Sequence, residues 1–338
     1  MSRTAHVVAA AILAAGIASL PHDLASAQDR AWKIGTVVAP PSMLGVLVDE
    51  MAASVGKATG GKVTAERFQQ PNEQEIAQNV MRGRYEMAYI SATGLAPAIP
   101  EMGVLNIPFL WSSEAERDYV SDKHAAPIVA QILQSKGLEL IRYGEAGWTS
   151  VFCKTACTAP ENLKGMKFRI SPTAADRMMY ERLGANGVTM SLADFYPALQ
   201  QGVVDGGNLT FSFYLIGPAA KSAPHYVFTQ HSHQPAFLVA NRQAWSELGA
   251  EHRQAIAGAI MPASEMRKRV KDDETPKMEL HKSRGGFVHV LSPEQKAAWA
   301  AVVVPGHDGL VASYGGRAKE LFDAIQAGKK EFAATKKN

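Results

Sequence analysis

The stretch of sequence that decides the fold lies at residues 160–184 and reads PENLKGMKFRISPTAADRMMYERLG. Within it, Lys167–Ile170 alternates polar and apolar side chains, which is typical of a β-strand. Thr173–Leu183 is predicted to form a helix, and Gly184 is its C-terminal stop. A strand followed by a helix is the unit from which α/β sheets are built.

The side chain of Arg169 is the first candidate for ligand binding. Strand alternation places Phe168 and Ile170 on one face of the sheet and Arg169 on the other. An Arg at the carboxyl end of a strand points into the crevice where open α/β sheets bind ligands. Its planar guanidinium suits a carboxylate, through two parallel charge-assisted hydrogen bonds. The alternative is a surface Arg on a half-exposed strand.

The rest of the chain repeats this order of strands and helices. The first half predicts, in order, a strand at Trp32–Ala39, a helix at Leu44–Ala58, a strand at Lys62–Phe68, a helix at Glu73–Arg82 and a strand at Glu86–Ser91. The order implies a mostly parallel sheet covered by helices. With the second unit around residue 169, we expect an α/β protein of two lobes around a cleft.

The domain boundaries follow from where the chain is expected to cross between the lobes. Lobe I is predicted to comprise residues 28–146 and 235–275, and lobe II residues 147–234 and 276–315. Residues 316–338 are predicted to form a C-terminal helix that caps a lobe rather than mediating dimerisation. We therefore expect a monomer.

Composition excludes several classes of protein. The chain has 338 residues, 46% of them hydrophobic, and a formal net charge of +3. These values argue against disorder, and the charge is too small to predict binding to nucleic acid or to an anionic membrane. The sequence contains no P-loop, no G-x-S-x-G elbow, no H-E-x-x-H and no G-x-G-x-x-G. No catalytic residue and no cofactor is therefore predicted.

Residues 1–27 have the features of a secretory signal peptide. Arg3 precedes an apolar run at Val7–Leu20, Pro21 ends the run, and Ala25-Ser26-Ala27 offers a small-x-small cleavage site. The run is too short to span a bilayer as a helix. Cleavage after Ala27 predicts export to the periplasm; the alternative is an uncleaved N-terminal anchor.

Two residue pairs leave alternatives open. Cys153 and Cys157 are predicted to form a disulfide because export exposes them to an oxidising compartment, the alternatives being two unpaired thiols or a redox-active pair. His231 and His233 share one face of a predicted strand. They are interpreted as hydrogen-bonding residues at the cleft edge, with metal binding as the alternative.

Seven motifs, taken in order, resemble a known family. They are KIG at 33–35, GGKV at 60–63, GRYEMA at 83–88, IPFL at 107–110, PENLKGMKFR at 160–169, LGAN at 183–186 and YPALQQGVVDG at 196–206. Over about residues 32–245 the chain resembles the extracytoplasmic solute-binding subunits of tripartite ATP-independent periplasmic (TRAP) transporters. The resemblance implies a type II periplasmic-binding fold of two α/β lobes that close around one ligand, mostly an organic acid. It also implies partnership with a small and a large membrane permease subunit.

The resemblance assigns the ligand carboxylate to Arg169, and three departures bear on specificity. Asn162 stands where the motif has Asp, and Thr149 stands where many members have a second Arg. Counted without gaps, Asn208 falls at the place of the family's Glu and Leu209 at that of its ligand-contacting Asn. Asn208 takes the role of that Asn if the backbone shifts by one residue.

Because Thr149 replaces an Arg, the site is expected to have one cation fewer than in many members of the family. This predicts a monocarboxylate with an apolar or aromatic body as the ligand. Leu209, Phe211, Phe213 and Trp148 lie close in sequence to the site, and we expect Trp148 and Phe211 to form a wall. Asn208 and Thr149 are the expected polar partners of the ligand. The remaining predicted ligand contacts are Leu192, Ser91 and Gln69.

Two alternatives to a transport receptor remain. A sensory receptor that docks on a membrane partner would use the same closed surface of the lobes. A periplasmic enzyme would need a base or a metal in the cleft, for which His231 and His233 are the only candidates.

Overall fold

A computed structural model describes residues 30–336; the predicted signal peptide at residues 1–27 lies outside the described residues. The described part contains eleven strands: β1 (Arg30–Thr36), β2 (Val63–Gln69), β3 (Met87–Ser91), β4 (Leu138–Tyr143), β5 (Gly147–Cys153), β6 (Lys167–Ile170), β7 (Asn186–Thr189), β8 (Gly206–Thr210), β9 (His225–Gln234), β10 (Ala236–Asn241) and β11 (Phe287–Val290).

Fifteen α-helices connect and cover the strands of the described part. They are α1 (Met43–Ala58), α2 (Glu73–Met81), α3 (Ala92–Leu95), α4 (Glu114–Val120), α5 (Ala126–Ser135), α6 (Ala174–Arg182), α7 (Leu192–Gln200), α8 (Phe211–Ile216), α9 (Ala219–Ser222), α10 (Arg242–Glu247), α11 (Ala250–Ala259), α12 (Ala263–Ser283), α13 (Pro293–Val303), α14 (His307–Tyr314) and α15 (Ala318–Thr335). None of the described helices is long and apolar enough to cross a membrane.

The strands form two sheets, one for each lobe. The first has the order β2-β1-β3-β10-β4, and the second has the order β11-β9-β5-β8-β6-β7. In the first sheet β1 is parallel to β2 and β3, whereas β10 is antiparallel to β3 and β4. In the second, β6 is parallel to β7 and β8, and β5 is antiparallel to β8 and β9. The two-lobed α/β fold expected from the sequence is confirmed.

The central strands of each sheet are buried on both faces. Strand β3 is buried throughout, with Met87 and Tyr89 in the apolar cluster on one face and Ala88 and Ile90 in that on the other. The side chains of strand β5 alternate in the same way, since Val151 and Phe152 belong to different apolar clusters. Side chains that alternate between two apolar layers explain why these strands are nearly continuous hydrophobic runs.

The chain passes between the lobes at two adjacent places. Residues 144–146 join β4 of the first sheet to β5 of the second, and Pro235 joins β9 to β10 in the opposite direction. Helix α12 contacts α1 of the first lobe and both α8 and β11 of the second. Helix α15 packs on α4 and on the turn at Ser121–Ala125, both in the first lobe.

Two local features of the second lobe involve residues noted in the sequence; the disulfide was expected, and the role of Asn162 was not. Cys153 and Cys157 are joined by a disulfide. The Asn162 side chain accepts a hydrogen bond from the Ala159 backbone N–H at 2.9 Å, so Asn here supplies the carbonyl oxygen that holds the turn before β6.

Candidate functional site

A cavity lies between the two sheets, where the carboxyl ends of parallel strands meet. The first lobe contributes residues that follow β1, β2 and β3, and the second lobe contributes residues on or after β6, β7 and β8. Its lining includes Val37, Asn72, Glu73, Gln74, Ser91, Thr93, Asn106, Thr149, Arg169, Ser171, Thr173, Asp176, Ser191, Leu192, Asn208, Leu209, Thr210, Phe213, Ser232 and Gln234. This is the crevice in which open α/β sheets bind ligands.

Arg169 is buried, with 5% of its surface exposed, which excludes a surface role. Its Nε donates to the Met190 carbonyl oxygen at 3.2 Å, and its guanidinium lies 5.5 Å from the centre of the Phe195 ring. Burial lowers the pKa of Arg169, and the nearby charge of Asp176 opposes that shift. Among the described residues no carboxylate lies within ion-pair distance of Arg169. The two Nη groups are therefore available to an anion in the cavity.

Asp176 is the acidic neighbour of Arg169, and its oxygens are occupied by other donors. The Ser171 backbone N–H donates to Oδ2 at 3.0 Å, and the Ser171 hydroxyl donates to the same atom. Asn208 Nδ2 donates to Oδ1 at 3.0 Å. The Asp176 carboxylate thus fixes the orientation of the Asn208 amide rather than pairing with the guanidinium.

Two polar atoms of β8 residues that line the cavity lack partners among the described residues. They are Asn208 Oδ1 and Thr210 Oγ1, both buried. Asn208 and Thr210 share one face of β8, and the strand pairs with β5 in continuous register. Asn208 therefore lines the cavity. Because a buried polar atom without a partner is costly, these two atoms are suited to hydrogen bonds with a ligand.

The first lobe presents a carboxylate to the cavity at the start of α2. Glu73 accepts hydrogen bonds from the Ser91 backbone N–H and the Ser91 hydroxyl, both at 2.8 Å. Burial raises the pKa of Glu73, and these two hydrogen bonds lower it in part. Ser91 in turn caps α3, since its hydroxyl accepts from the Gly94 N–H at 3.0 Å.

Three helices begin at the edge of the cavity. Asn72 caps α2, Thr173 caps α6 and Ser191 caps α7, and all three caps line the cavity. The N-terminus of a helix carries partial positive charge, which adds to the positive potential of Arg169. The arrangement favours an anion.

Six of the nine predicted ligand contacts line this cavity. They are Arg169, Asn208, Thr149, Leu209, Leu192 and Ser91. Gln69 lies instead in an adjoining groove, where its Nε2 donates to the Val37 carbonyl oxygen at 3.4 Å. These placements bring together residues from both lobes.

The predicted aromatic wall of Trp148 and Phe211 is not where it was expected, because neither residue lines the cavity. Trp148 precedes Thr149 on β5 and so points to the opposite face, where its ring contacts Arg117 and His233. Phe211 is fully buried in an aromatic cluster with Tyr214 and Tyr226. Phe213, two positions further along α8, is the aromatic residue that lines the cavity.

The two histidines do not share a site. His233 Nε2 donates to both carboxylate oxygens of Glu145 at 2.9 Å, and Arg117 Nη1 lies 3.3 Å from Glu145 Oε2. His231 Nδ1 lies 2.8 Å from the Thr229 hydroxyl. The described residues contain no group of three or more potential metal-binding side chains. Each histidine thus has a hydrogen-bonding partner, as the first interpretation expected, but neither lines the cavity at the cleft.

Glu145 lies in the segment that joins β4 to β5 and is almost fully buried. Burial by itself raises the pKa of Glu145, but the neighbouring His233, the charge of Arg117 and hydrogen bonds to the carboxylate hold it well below its usual range. Burial lowers the pKa of His233. The link between the lobes is thus built on an ionised carboxylate beside a permanently charged Arg.

Sequence reasoning missed several residues that line the cavity. Glu73, Asp176 and Thr210 were not proposed, and Phe213 was named only as a neighbour of the site. A usable signal existed, because Asn72 and Thr173 are cap residues directly after strands that end at the cleft. The first turn of a helix with such a cap faces the cavity, and Glu73 and Asp176 occupy those turns.

Comparison with known proteins finds one family. The family model described as "Bacterial extracellular solute-binding protein, family 7" (DctP) matches residues 34–313. A solute-binding protein of Verminephrobacter eiseniae is 26% identical over 309 residues, which are 89% of this chain and 91% of the relative. The C4-dicarboxylate-binding periplasmic protein DctP of Rhodobacter capsulatus is 25% identical over 303 residues, 87% of this chain and 90% of the relative.

The fold also matches solved structures. A TRAP periplasmic solute-binding protein from Roseobacter denitrificans, solved with bound β-D-glucuronate, superposes with a TM-score of 0.82 at 23% identity. The match covers 88% of this chain and 99% of that one. At this identity the likeness concerns the fold.

Proposed function

The chain belongs to family 7 of the bacterial extracellular solute-binding proteins, the TRAP transporter receptors, and we propose that it captures a small organic monocarboxylate between its lobes. Members of this family are periplasmic receptors that work with membrane permease components rather than enzymes. The bound acid would then pass to a small and a large permease subunit.

The single observation that carries the proposal is the state of Arg169. Its guanidinium is buried at the carboxyl end of β6, lines the cavity, and has no acidic partner within ion-pair distance among the described residues. A buried cation is stable when it is paired and hydrogen-bonded. A ligand carboxylate held by the two Nη groups supplies that pairing through charge-assisted bonds.

The charge balance of the cavity favours one carboxylate over two. Arg169 is the single cationic side chain among the described residues that line it, whereas Glu73 and Asp176 are both acidic. A second ligand carboxylate would face these side chains without a cation of its own. Thr149, where many relatives carry a second Arg, is consistent with the same preference.

The two unpartnered oxygens beside Arg169 favour a hydroxylated acid. Asn208 Oδ1 is an acceptor, since Asn208 Nδ2 is engaged with Asp176, and it therefore requires a donor from the ligand. The Thr210 hydroxyl can either donate or accept. A hydroxyl group on the ligand can donate to Asn208 Oδ1, and the Thr210 hydroxyl can bond a further ligand oxygen. The β-D-glucuronate bound by the Roseobacter denitrificans protein is a hydroxylated monocarboxylate.

Packing of the C-terminal helix supports a monomeric receptor. The apolar residues Leu321 and Ile325 of α15 are fully buried within this chain, where the helix packs on α4. Sedimentation of the purified protein is expected to give the mass of one chain.

N-terminal sequencing of exported protein tests the proposed cleavage after Ala27.

A thermal-shift screen tests the ligand proposal. The library contains monocarboxylates, their 2-hydroxy counterparts, dicarboxylates and neutral sugars. A ligand at a thousand times its dissociation constant stabilises the fold by about 4 kcal/mol, so hydroxylated monocarboxylates are expected to raise the melting temperature by several degrees. A shift with dicarboxylates and with no monocarboxylate would contradict the charge argument. A shift with neutral sugars alone would contradict the role of Arg169.

A further inference from the structure

A second compartment, here called the groove, adjoins the cavity. It lies between residues 37–42 of the first lobe and α7, α8 and the last turns of α12. The cavity and the groove share Val37, Pro71, Leu192 and Phe213 in their linings. The two compartments are therefore contiguous at these four residues.

The groove is large and carries exposed apolar side chains. Its volume is about 1200 Å³, against about 90 Å³ for the cavity. Ile216 of α8 is 54% exposed and Leu280 of α12 is 44% exposed, and both line the groove. Single exposed hydrophobic residues are ordinary, but two from different helices that line one groove make a shared apolar surface.

The charged residues of the groove are all basic. Lys221, Lys277 and Arg284 line it, and no described Asp or Glu does so. Lys277 pairs with Asp273, whereas Lys221 and Arg284 form no ion pair among the described residues. Such a surface disfavours a ligand whose tail carries a positive charge.

We propose that the groove is a second ligand subsite, which binds the apolar tail of a hydroxylated monocarboxylate whose carboxylate is held by Arg169. The inference rests on the proposed function, because Arg169 fixes the end of the ligand from which the tail extends. Leu192 and Phe213, which belong to both linings, contact the tail as it passes from one compartment to the other. The substrate class is then 2-hydroxy acids with aliphatic or aromatic extensions.

A chain-length series tests this subsite. Affinities of the purified protein for 2-hydroxybutanoate, 2-hydroxyhexanoate, 2-hydroxyoctanoate and 2-hydroxydecanoate are measured by calorimetry. Each methylene that enters the groove is expected to raise affinity about fourfold. In Leu280→Gln and Ile216→Gln, the increase in affinity of the two longest acids over 2-hydroxybutanoate is expected to be smaller by about fivefold or more. Binding of 2-hydroxybutanoate is expected to stay within twofold of the unmodified protein.

Val203→Gln is the matched control, because Val203 is 46% exposed and lines neither compartment. It is expected to bind the whole series as the unmodified protein does. The proposal is overturned if 2-hydroxybutanoate binds while affinity does not rise with length, and the proposed function then stands. It is also overturned if both groove variants keep the full gain with length. Loss of transport in a reconstituted system without loss of affinity would make the groove a permease-docking surface instead. Failure of these acids and of every monocarboxylate in the thermal-shift library to bind would remove the proposed function itself.

Discussion

Replacement of Arg169 by Met separates ligand binding from stability, because the side chain contributes little to the folded protein without an anion. Its Nε is engaged with the Met190 carbonyl oxygen, so the two Nη groups remain for the ligand. Hydrogen bonds to a charged group contribute about 1.5–3 kcal/mol each, which gives about 3 kcal/mol or more for the pair. Affinity in Arg169→Met is therefore expected to fall by about a hundredfold or more.

The expected effect of the same substitution on stability is smaller. Arg169→Met removes the hydrogen bond to Met190, worth about 1 kcal/mol, and the buried contact of the guanidinium with the Phe195 ring, worth about 2 kcal/mol. It also removes a buried cation that has no ion pair among the described residues, which offsets part of the loss. The free energy of unfolding without ligand is expected to change by less than about 2 kcal/mol. Urea denaturation measures it.

Arg142 offers a matched control for this experiment. Burial lowers its pKa as it does for Arg169, but Arg142 Nη2 donates to the carbonyl oxygens of Ala257 and Ile260, at 2.7 and 2.8 Å, and the residue does not line the cavity. Arg142→Met is expected to lower stability and to leave affinity unchanged. Calorimetry with the best acid from the thermal-shift screen compares the two variants. Binding by Arg169→Met within threefold of the unmodified protein would refute the assignment of the carboxylate.

Three further predictions follow from the site, the link between the lobes and the disulfide. Thr210→Val is expected to reduce the ratio of affinities for a 2-hydroxy acid and its deoxy analogue from about tenfold to near unity. The reason is that it removes a hydroxyl worth about 1.4 kcal/mol in a buried hydrogen bond. An unchanged ratio in calorimetry would contradict this. Glu145→Gln is expected to cost about 3 kcal/mol at neutral pH, because it breaks a buried pair with Arg117. Because the pKa of Glu145 is held below its ordinary 4.5, this contribution is present above pH 4.5 and is lost as the pH falls below that value. The difference in free energy of unfolding between the unmodified protein and Glu145→Gln should therefore narrow at acidic pH. A difference in denaturation midpoint that does not depend on pH would argue against the ionised pair. Reduction of the Cys153–Cys157 bond, which closes a loop with a sequence separation of 4, is expected to cost roughly 2 kcal/mol in urea denaturation, and a double Cys→Ala variant should not respond to the reductant.

The elements of the second lobe were predictable because their signals are local. Lys167–Ile170 forms the strand with the predicted ends, and the predicted helix at Thr173–Leu183 is observed at Ala174–Arg182. Strand alternation also predicted that Arg169 faces away from Phe168 and Ile170, whose apolar cluster lies on the other side of the sheet. Each inference used residues within a few positions of one another.

The predictions about the site that were wrong or missing depend on finer or longer-range geometry. Trp148 was placed beside the ligand by proximity in sequence, although neighbours on a strand point to opposite faces. Phe211 begins α8, and the helical turn directs it into the core and brings Phe213 to the cavity. The contact of His233 with Glu145 joins residues 88 positions apart, and no local pattern predicts it.

The arrangement around Arg169 explains how a receptor of this kind can distinguish its loaded form from its empty form. Asp176 is close enough to oppose the effect of burial on the guanidinium, yet its oxygens are held by Ser171 and Asn208. Arg169 therefore remains unpaired within the second lobe, and closure of the first lobe over it without an anion buries an uncompensated charge. An anion removes that cost in the closed arrangement more than in an open one, where water solvates the guanidinium, and a ligand shifts a conformational equilibrium only through such a difference. If Arg169 holds the ligand carboxylate as proposed, the same missing ion pair accounts for both the affinity for that carboxylate and the dependence of closure on it.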